Sequence, residues 1–350
     1  QLIAGGSHFS KKFGLTYKEI VGDKIKIDQK INISLNQTSN ENILNYISKS
    51  IKQYIRVLKK IKPSIVIILG DRYEAFSFAI TCYYLNIRIA HIHGGELTTG
   101  SFDDNIRHSI SKLANYHFVT NKIYKKRLVQ LGENKSNIFN TGALGVENYL
   151  ESKKDKKIIF LKKYNLPHNK KIALITFHPE TKSKIGYKNQ IKIFLSSLEN
   201  IKNIYYIFTY NNMDTSGLYF VYQLEKFNKK NKNSKIIKSM GSNVYFNFLK
   251  NVDLIIGNSS SAIIEAPSAK TISINVGTRQ EGRLLANSVF DCDLVKDQIN
   301  RLIKKLLKNR KINYKNPHYK KNSRSNLIKT LIKKINENNI QIKKFNDIKF

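Results

Sequence analysis

The chain has 350 residues, 41% of them hydrophobic, a length that suits two domains better than one core. No apolar run reaches the roughly 18 residues that span a bilayer and no signal-peptide pattern opens the sequence. Two cysteines, Cys82 and Cys292, offer neither a disulfide framework nor zinc spacing, so the expectation is a soluble, cytoplasmic protein. The net charge of +36 is that of a nucleic-acid or membrane-surface binder. The basic residues, however, are scattered over the chain with a denser run toward the C-terminus, and no zinc-finger, helix-turn-helix or RNP-like signature accompanies them, so neither nucleic acid nor membrane is expected as a partner.

The first residues, QLIAGG, resemble a core strand ending in a glycine turn. A doubly wound domain normally opens with an earlier strand, so a βα unit is expected to be missing ahead of Gln1. Apolar runs at 64–69 (SIVIIL) and 87–92 (IRIAHI) flank a helical pattern over 73–85, and helical stretches follow from Asp104 and Asn121. A charged, Pro-containing segment at 151–171 reads as an inter-domain connection. The same grammar then restarts with strand-like runs at 172–177, 204–209, 253–256 and 271–275, and the chain beyond Asp297 reads as polar helix. This βαβ order predicts an α/β protein of two Rossmann-like domains facing a cleft, residues 1–155 and 156–350, the second with a basic helical tail.

The most informative stretch is 257–283, GNSSSAIIEAPSAKTISINVGTRQEGR. A small-residue loop, Gly257, Asn258, Ser259, Ser260 and Ser261, precedes a predicted helix over 262–269, and free N–H groups at a helix start favour a diphosphate. Glu265 is placed to accept hydrogen bonds from ribose hydroxyls. Arg279 and Arg283, with Gln280 between them, follow the next strand, where planar guanidinium donors suit phosphate oxygens. The alternative reading is a Ser-rich N-cap turn with two surface arginines. Only ten of the 61 basic residues are Arg, yet Arg72, Arg107, Arg279 and Arg283 all fall in motifs, and Lys does not reproduce Arg's rigid fork.

A second constellation lies in the first half. Asp71, in GDRYEA, leaves a strand directly toward the cleft. One βα unit later, HIHGGELTTGSFDDNIRHSI gathers His91, His93, Glu96, Asp103, Asp104, Arg107 and His108 around a glycine pair. Capping of the following helix is the competing reading for Asp103 and Asp104. Zinc is a competing reading for His91 and His93, two apart on one strand face, but no third ligand has a characteristic spacing and the expectation is no metal. In ITFHPET, His178 follows a strand of the second half at a position equivalent to that of Asp71.

Together GDRYEA, HIHGGELTTGSFDDNIRHSISKLA, ITFHPET and GNSSSAIIEAP with NVGTRQEGR resemble the hydrolysing UDP-N-acetylglucosamine 2-epimerase family of bacterial sialic and legionaminic acid synthesis. The resemblance implies the B-type glycosyltransferase architecture and no cofactor. It also implies loss of UDP from a UDP-2-acetamido sugar, through a 2-acetamidoglycal, to give a free N-acetylmannosamine-type sugar. By the same resemblance Asp71, Asp103, Asp104 and His178 are catalytic, and Ser259, Ser260, Glu265, Arg279 and Arg283 lie on the nucleotide side. Where animal members read IEGGE this chain has His93, a residue able to do the same proton transfer. The family's first strand ends in a loop that supplies an active-site arginine, expected in the missing unit. A homodimer is a further expectation. A non-hydrolysing epimerase, a glycosyltransferase of the same architecture and a basic nucleic-acid- or membrane-binding module are the alternatives.

Overall fold

The computed structural model describes residues 1–9, 15–33, 39–210, 216–308, 312–337 and 343–348. Its first half runs β1 (Ile3–Gly5), α1 (Tyr17–Gly22), β2 (Gln29–Ile31), α2 (Asn40–Ile61), β3 (Ile65–Leu69), α3 (Tyr73–Tyr84), β4 (Arg88–Ile92), α4 (Asp103–Leu113), β5 (Tyr116–Val119), α5 (Lys122–Gln130), β6 (Ile138–Asn140) and α6 (Leu144–Glu151). The second runs α7 (Lys157–Lys163), β7 (Lys171–Thr176), α8 (Tyr187–Ser197), β8 (Ile204–Thr209), α9 (Gly217–Lys230), β9 (Ser234–Ile237), α10 (Gly241–Asn251), β10 (Leu254–Gly257), α11 (Ser261–Ile264), α12 (Ala266–Ala269), β11 (Ser273–Val276), β12 (Val289–Cys292) and α13 (Lys296–Leu306). The described residues end with α14 (Ser323–Asn336) and an irregular segment, 343–348.

Every strand pairing is parallel, as alternating βα units require. The first half holds a sheet of order β3-β4-β5-β6 and a separate pair β1-β2. The second holds a six-stranded sheet, β12-β11-β10-β7-β8-β9, whose order reverses between β7 and β10. Such a reversal opens a crevice at the carboxyl ends of the two strands. His178 follows β7 and Asn258 follows β10, so both enter that crevice.

Parallel strands covered on both faces must be apolar along their whole length. In β7, Ile172 and Leu174 pack with Phe160 of α7 and Phe248 of α10, while Ala173 and Ile175 pack on the other face with Phe194, Phe220 and Ile303. In the first half, Val66, Ile68 and Ile89 meet Tyr54 and Leu58 of α2 and Cys82 of α3. The opposite face of that sheet, Ala90, Ile92, Tyr116 and Phe118, is covered by Leu327 and Leu331 of α14. The last helix therefore belongs to the core of the first half, an arrangement for which a single division after residue 155 makes no provision. The expected connection at 151–171 contains α7, and the expected polar terminal helix is two helices separated by an irregular stretch, 312–322. Among the described residues no helix is long and apolar enough to cross a membrane.

Candidate active site

The strand ends of the first half deliver the acid–base groups. Asp71 follows β3 and its carboxylate is bound by the Arg107 guanidinium. Arg107 lies one turn into α4, is 1% exposed, and donates also to the Glu96 carbonyl (3.0 Å) and the Thr98 hydroxyl (3.1 Å), with Asp104 Oδ1 at 3.7 Å. One buried guanidinium thus gathers β3, the glycine turn and the start of α4. His91 braces the same corner. Its Nε2–H donates to the Gly70 carbonyl beside Asp71 (2.8 Å) and its Nδ1 accepts from the Ser111 hydroxyl (3.0 Å). Burial pushes its pKa down to about 3, so the ring is neutral with both nitrogens engaged, which leaves none for a metal.

His93 turns out of the line of β4 with φ of 67°, rather than sharing a strand face with His91. Its Nδ1 meets Glu96 Oε1 at 2.7 Å, and Glu96 Oε2 lies 3.0 Å from Arg283 of the second half. Burial works to raise the Glu96 pKa, but Arg283 and His93 together hold it down at about 2. An ionised carboxylate only accepts, so His93 donates from Nδ1, and in the neutral ring the free lone pair sits on Nε2. Arg279 approaches Asp103, with 3.6 Å between guanidinium and carboxylate. The loop between them is meshed across the halves as well. Thr99 donates to the Glu281 carboxylate (2.8 Å), Phe102 N–H to the Thr181 hydroxyl (3.1 Å) and Lys182 N–H to the Gly100 carbonyl (3.2 Å).

Neither acidic residue at the start of α4 is its cap. The cap position is Phe102, and Asp104 Oδ1 accepts from the Thr98 N–H at 2.6 Å, a loop donor. Both aspartates lie in the first turn, where the helix dipole favours negative charge.

In the second half Asn258 is a hub. Its side chain accepts from the His178 N–H (2.7 Å) and donates to the His178 carbonyl (2.9 Å), while its own carbonyl accepts from Gln280 (2.9 Å) and Arg279 (3.3 Å). Gly257 before it has φ of 140°, and a Cβ there would overlap the Thr176 carbonyl oxygen. The helix expected after Ser261 is two single turns, α11 and α12, broken at Glu265; Pro267 supplies no N–H for the bond that would join them. A single turn carries little of a helix dipole, so the donors this loop offers are the hydroxyls of Ser259, Ser260 and Ser261 and the local N–H groups. Glu265 lies against Gly145 at the start of α6, where a side-chain carbon would overlap its carboxylate. Burial pushes its pKa up to about 7 against the lowering effects of Ser261, His93 and Arg283.

The structure therefore brings Asp71, His93, Glu96, Asp103, Asp104, Arg279 and Arg283 into one network at the seam between the halves. His178, Asn258 and Gln280 join it through Arg279, and Glu265, lying against α6, is within electrostatic reach of His93 and Arg283. Arg279 and Arg283, expected to close over phosphate oxygens, have carboxylate partners in Asp103 and Glu96. Sequence reasoning passed over Glu180, inside the quoted ITFHPET, which accepts from the Thr278 N–H (2.8 Å) and hydroxyl (3.2 Å) and the Arg279 N–H (3.3 Å) and so shapes the arginine loop. Its pKa is raised by burial. Thr120 and His318 were also passed over. They stand 198 residues apart, and no local pattern signals that they meet.

A family model described as UDP-N-acetylglucosamine 2-epimerase matches residues 1–333. A Campylobacter jejuni protein named GDP/UDP-N,N'-diacetylbacillosamine 2-epimerase (hydrolyzing) is 38% identical, over 99% of this chain and 91% of its own length. A Legionella pneumophila UDP-N,N'-diacetylbacillosamine 2-epimerase (hydrolyzing) is 32% identical, over 89% of this chain and 82% of its own. The solved Neisseria meningitidis UDP-GlcNAc 2-epimerase bound to UDP-GlcNAc superposes with a TM-score of 0.76 at 17% identity, over 92% and 90% of the two chains. That likeness identifies the fold as two Rossmann-like domains of the B-type glycosyltransferase kind.

Proposed function

The chain belongs to the UDP-N-acetylglucosamine 2-epimerase family, and on that premise we propose that it hydrolyses a UDP-2-acetamido sugar with inversion at C2. UDP-N,N'-diacetylbacillosamine is the favoured substrate, because the 38% and 32% identical relatives are named for it. The observation that carries the mechanism is the His93–Glu96–Arg283 chain. Glu96, held ionised by Arg283, orients His93 through Nδ1 and stabilises its protonated form, so that Nε2 exchanges a proton with the substrate. As the C2–H bond breaks and its electrons form the C1–C2 double bond, the bond from C1 to the UDP oxygen breaks. Water then adds across the glycal, its proton going to C2 and its hydroxyl to C1. Asp71, Asp103 and Asp104 are the carboxylates available for the second proton transfer, and His178, which follows β7, is taken with them as a catalytic group. On the nucleotide side, Ser259, Ser260 and Ser261 take the diphosphate with Gly257 and Asn258 shaping the loop; Arg279, Gln280 and Arg283 close over it, and Glu265 receives the ribose.

The reading places the enzyme in the cytoplasm, where free thiols such as Cys82 and Cys292 persist. It also takes in a homodimer, for which exposed Leu44, Tyr83 and Tyr84 offer apolar surface on the first half. The test is incubation with UDP-N,N'-diacetylbacillosamine and with UDP-N-acetylglucosamine in deuterated water, with products analysed by mass spectrometry. Free UDP and a free 2-epimerised sugar carrying one deuterium at C2 are expected. A 2-epimer still attached to UDP would establish the non-hydrolysing reaction instead, and a product without deuterium at C2 would refute the elimination.

A further inference from the structure

The irregular stretch 312–322 brings a histidine back to the seam. His318 is completely buried, with its ring stacked on Tyr124 of α5 at 6.0 Å between centroids. Its two nitrogens reach different halves. Nε2 lies 2.9 Å from the carbonyl oxygen of Leu284, the residue after Arg283, and Nδ1 lies 3.1 Å from the hydroxyl of Thr120, at the end of β5. A carbonyl only accepts, so Nε2 carries the proton, and in the neutral ring that burial favours Nδ1 accepts from Thr120. Thr120 is itself 3.5 Å from Glu96 Oε1. The Leu284 N–H is held too, donating to the Tyr124 hydroxyl at 3.0 Å. Both backbone groups of Leu284 are thus fixed by residues outside its own loop, one residue from the guanidinium that faces Glu96.

Resting on the epimerase reading, we propose that His318 is a positioning residue for the reaction: by tying the Leu284 carbonyl to Thr120 it fixes Arg283 against Glu96, and through Glu96 it fixes the His93 ring. A buried residue that merely filled space would need only its volume and its stacking on Tyr124. A residue that sets the register of Arg283 needs its Nε2 donor. The two roles separate by substitution, because Phe keeps the ring without either nitrogen, whereas the amide of Gln reaches the Nε2 position and donates to Leu284.

The experiment measures kcat, KM and melting temperature for the wild-type protein and for His318→Phe, His318→Gln and Tyr124→Phe, with UDP release from a UDP-2-acetamido sugar as the assay. His318→Phe is expected to lower kcat at least 10-fold with KM changed less than about threefold, and His318→Gln to recover kcat to within about threefold of wild type. Tyr124→Phe, which keeps its ring and removes the hydroxyl that accepts from the Leu284 N–H, is expected to lower kcat several-fold, and it carries the test if His318→Phe does not fold. The proposal is overturned if folded His318→Phe turns over within twofold of wild type, if His318→Gln is as slow as His318→Phe, or if Tyr124→Phe leaves kcat unchanged. Absence of UDP release by the wild-type protein from either sugar would instead overturn the hydrolysing reading on which the proposal rests.

Discussion

Glu96→Gln is the sharpest test of the site because one substitution separates charge from shape. The carboxylate is 1% exposed and shared between His93 Nδ1 at 2.7 Å and Arg283 at 3.0 Å. Gln keeps the volume and an acceptor for Nδ1–H, but leaves the Arg283 charge with no anion opposite it. Removing one partner of a buried pair costs about 3–5 kcal/mol. The pKa gives a compatible figure: a fall from 4.5 to about 2 corresponds to about 3 kcal/mol at neutral pH. Its folded pKa is depressed, so this stability is fully present above the unfolded value near 4.5 and is lost as pH falls toward about 2. By linkage, about 1 kcal/mol of it is gone at pH 4. Urea melts of wild type and Glu96→Gln should therefore differ by about 3 kcal/mol at pH 7, with the gap closing by about 1 kcal/mol at pH 4. Turnover should fall about 10²- to 10⁴-fold, since a neutral amide orients the His93 ring without stabilising its protonated form. Equal stability at pH 7, or a gap that does not narrow in acid, would show that Glu96 is not the buried anion of this seam.

Arg107→Lys should lower turnover at least about 100-fold and stability by about 3 kcal/mol, because an ammonium does not bridge Asp71, the Glu96 carbonyl and Thr98 together; kinetics and thermal melts check both. Gly257→Ala should destabilise by more than about 3 kcal/mol or give no soluble protein, since the positive φ and the Thr176 carbonyl both exclude a side chain; a soluble variant melting at the wild-type temperature would contradict this. Asp103→Asn removes the carboxylate that faces Arg279 and should tighten UDP binding about two- to fivefold, as a partly exposed ion pair is worth about 0.5–1 kcal/mol. Calorimetric titration with UDP measures it, and weaker binding would mean that Arg279 serves the protein framework and not the diphosphate.

The strands that sequence alone revealed most sharply are unbroken apolar runs. Expected runs at 64–69, 172–177 and 204–209 coincide with β3, β7 and β8 to within a residue at each end, because unbroken aliphatic and aromatic residues suit a covered parallel strand; β7 and β8 are largely covered on both faces, whereas Ile67 and Leu69 of β3 are exposed. The strands that went unread, β2 (QKI), β5 (YHFV), β6 (IFN), β9 (SKII) and β12 (VFDC), are three or four residues long and interrupted by polar residues, and Ser234–Ile237 of β9 is only half-buried along its length. Helix α14 was legible as a helix, but its 3.6-residue repeat says nothing of which sheet receives Leu327 and Leu331. Most of the candidate site was legible as residue types: Asp71, His93, Glu96 and the two arginines were each marked by a turn directly after a strand. Their partners were not. Asp103 with Arg279, Glu96 with Arg283 and Thr120 with His318 are separated by 176, 187 and 198 positions, and such pairs are chosen by how the halves meet, which no local spacing encodes.

The choice of arginine at the seam follows from the same burial. This chain uses lysine for 51 of its 61 basic residues, which gives the surface its charge of +36. Arg107, Arg279 and Arg283 nonetheless stand where they are almost wholly removed from solvent, facing Asp71, Asp104, Asp103 and Glu96. Full burial lowers the pKa of a cation by up to about 3–5 units. Starting near 10.4, an ammonium shifted that far would lose its proton close to neutral pH, leaving the buried Glu96 and the partly buried Asp71, Asp103 and Asp104 without a counter-charge. Burial does depress Arg107 well below its ordinary value, but a guanidinium starts more than about 12 and keeps its proton where an ammonium would not. Four carboxylates drawn toward the cleft thus require guanidinium partners for their charge to persist, and the preference for lysine that runs through the rest of the sequence stops where burial would strip an ammonium of its proton.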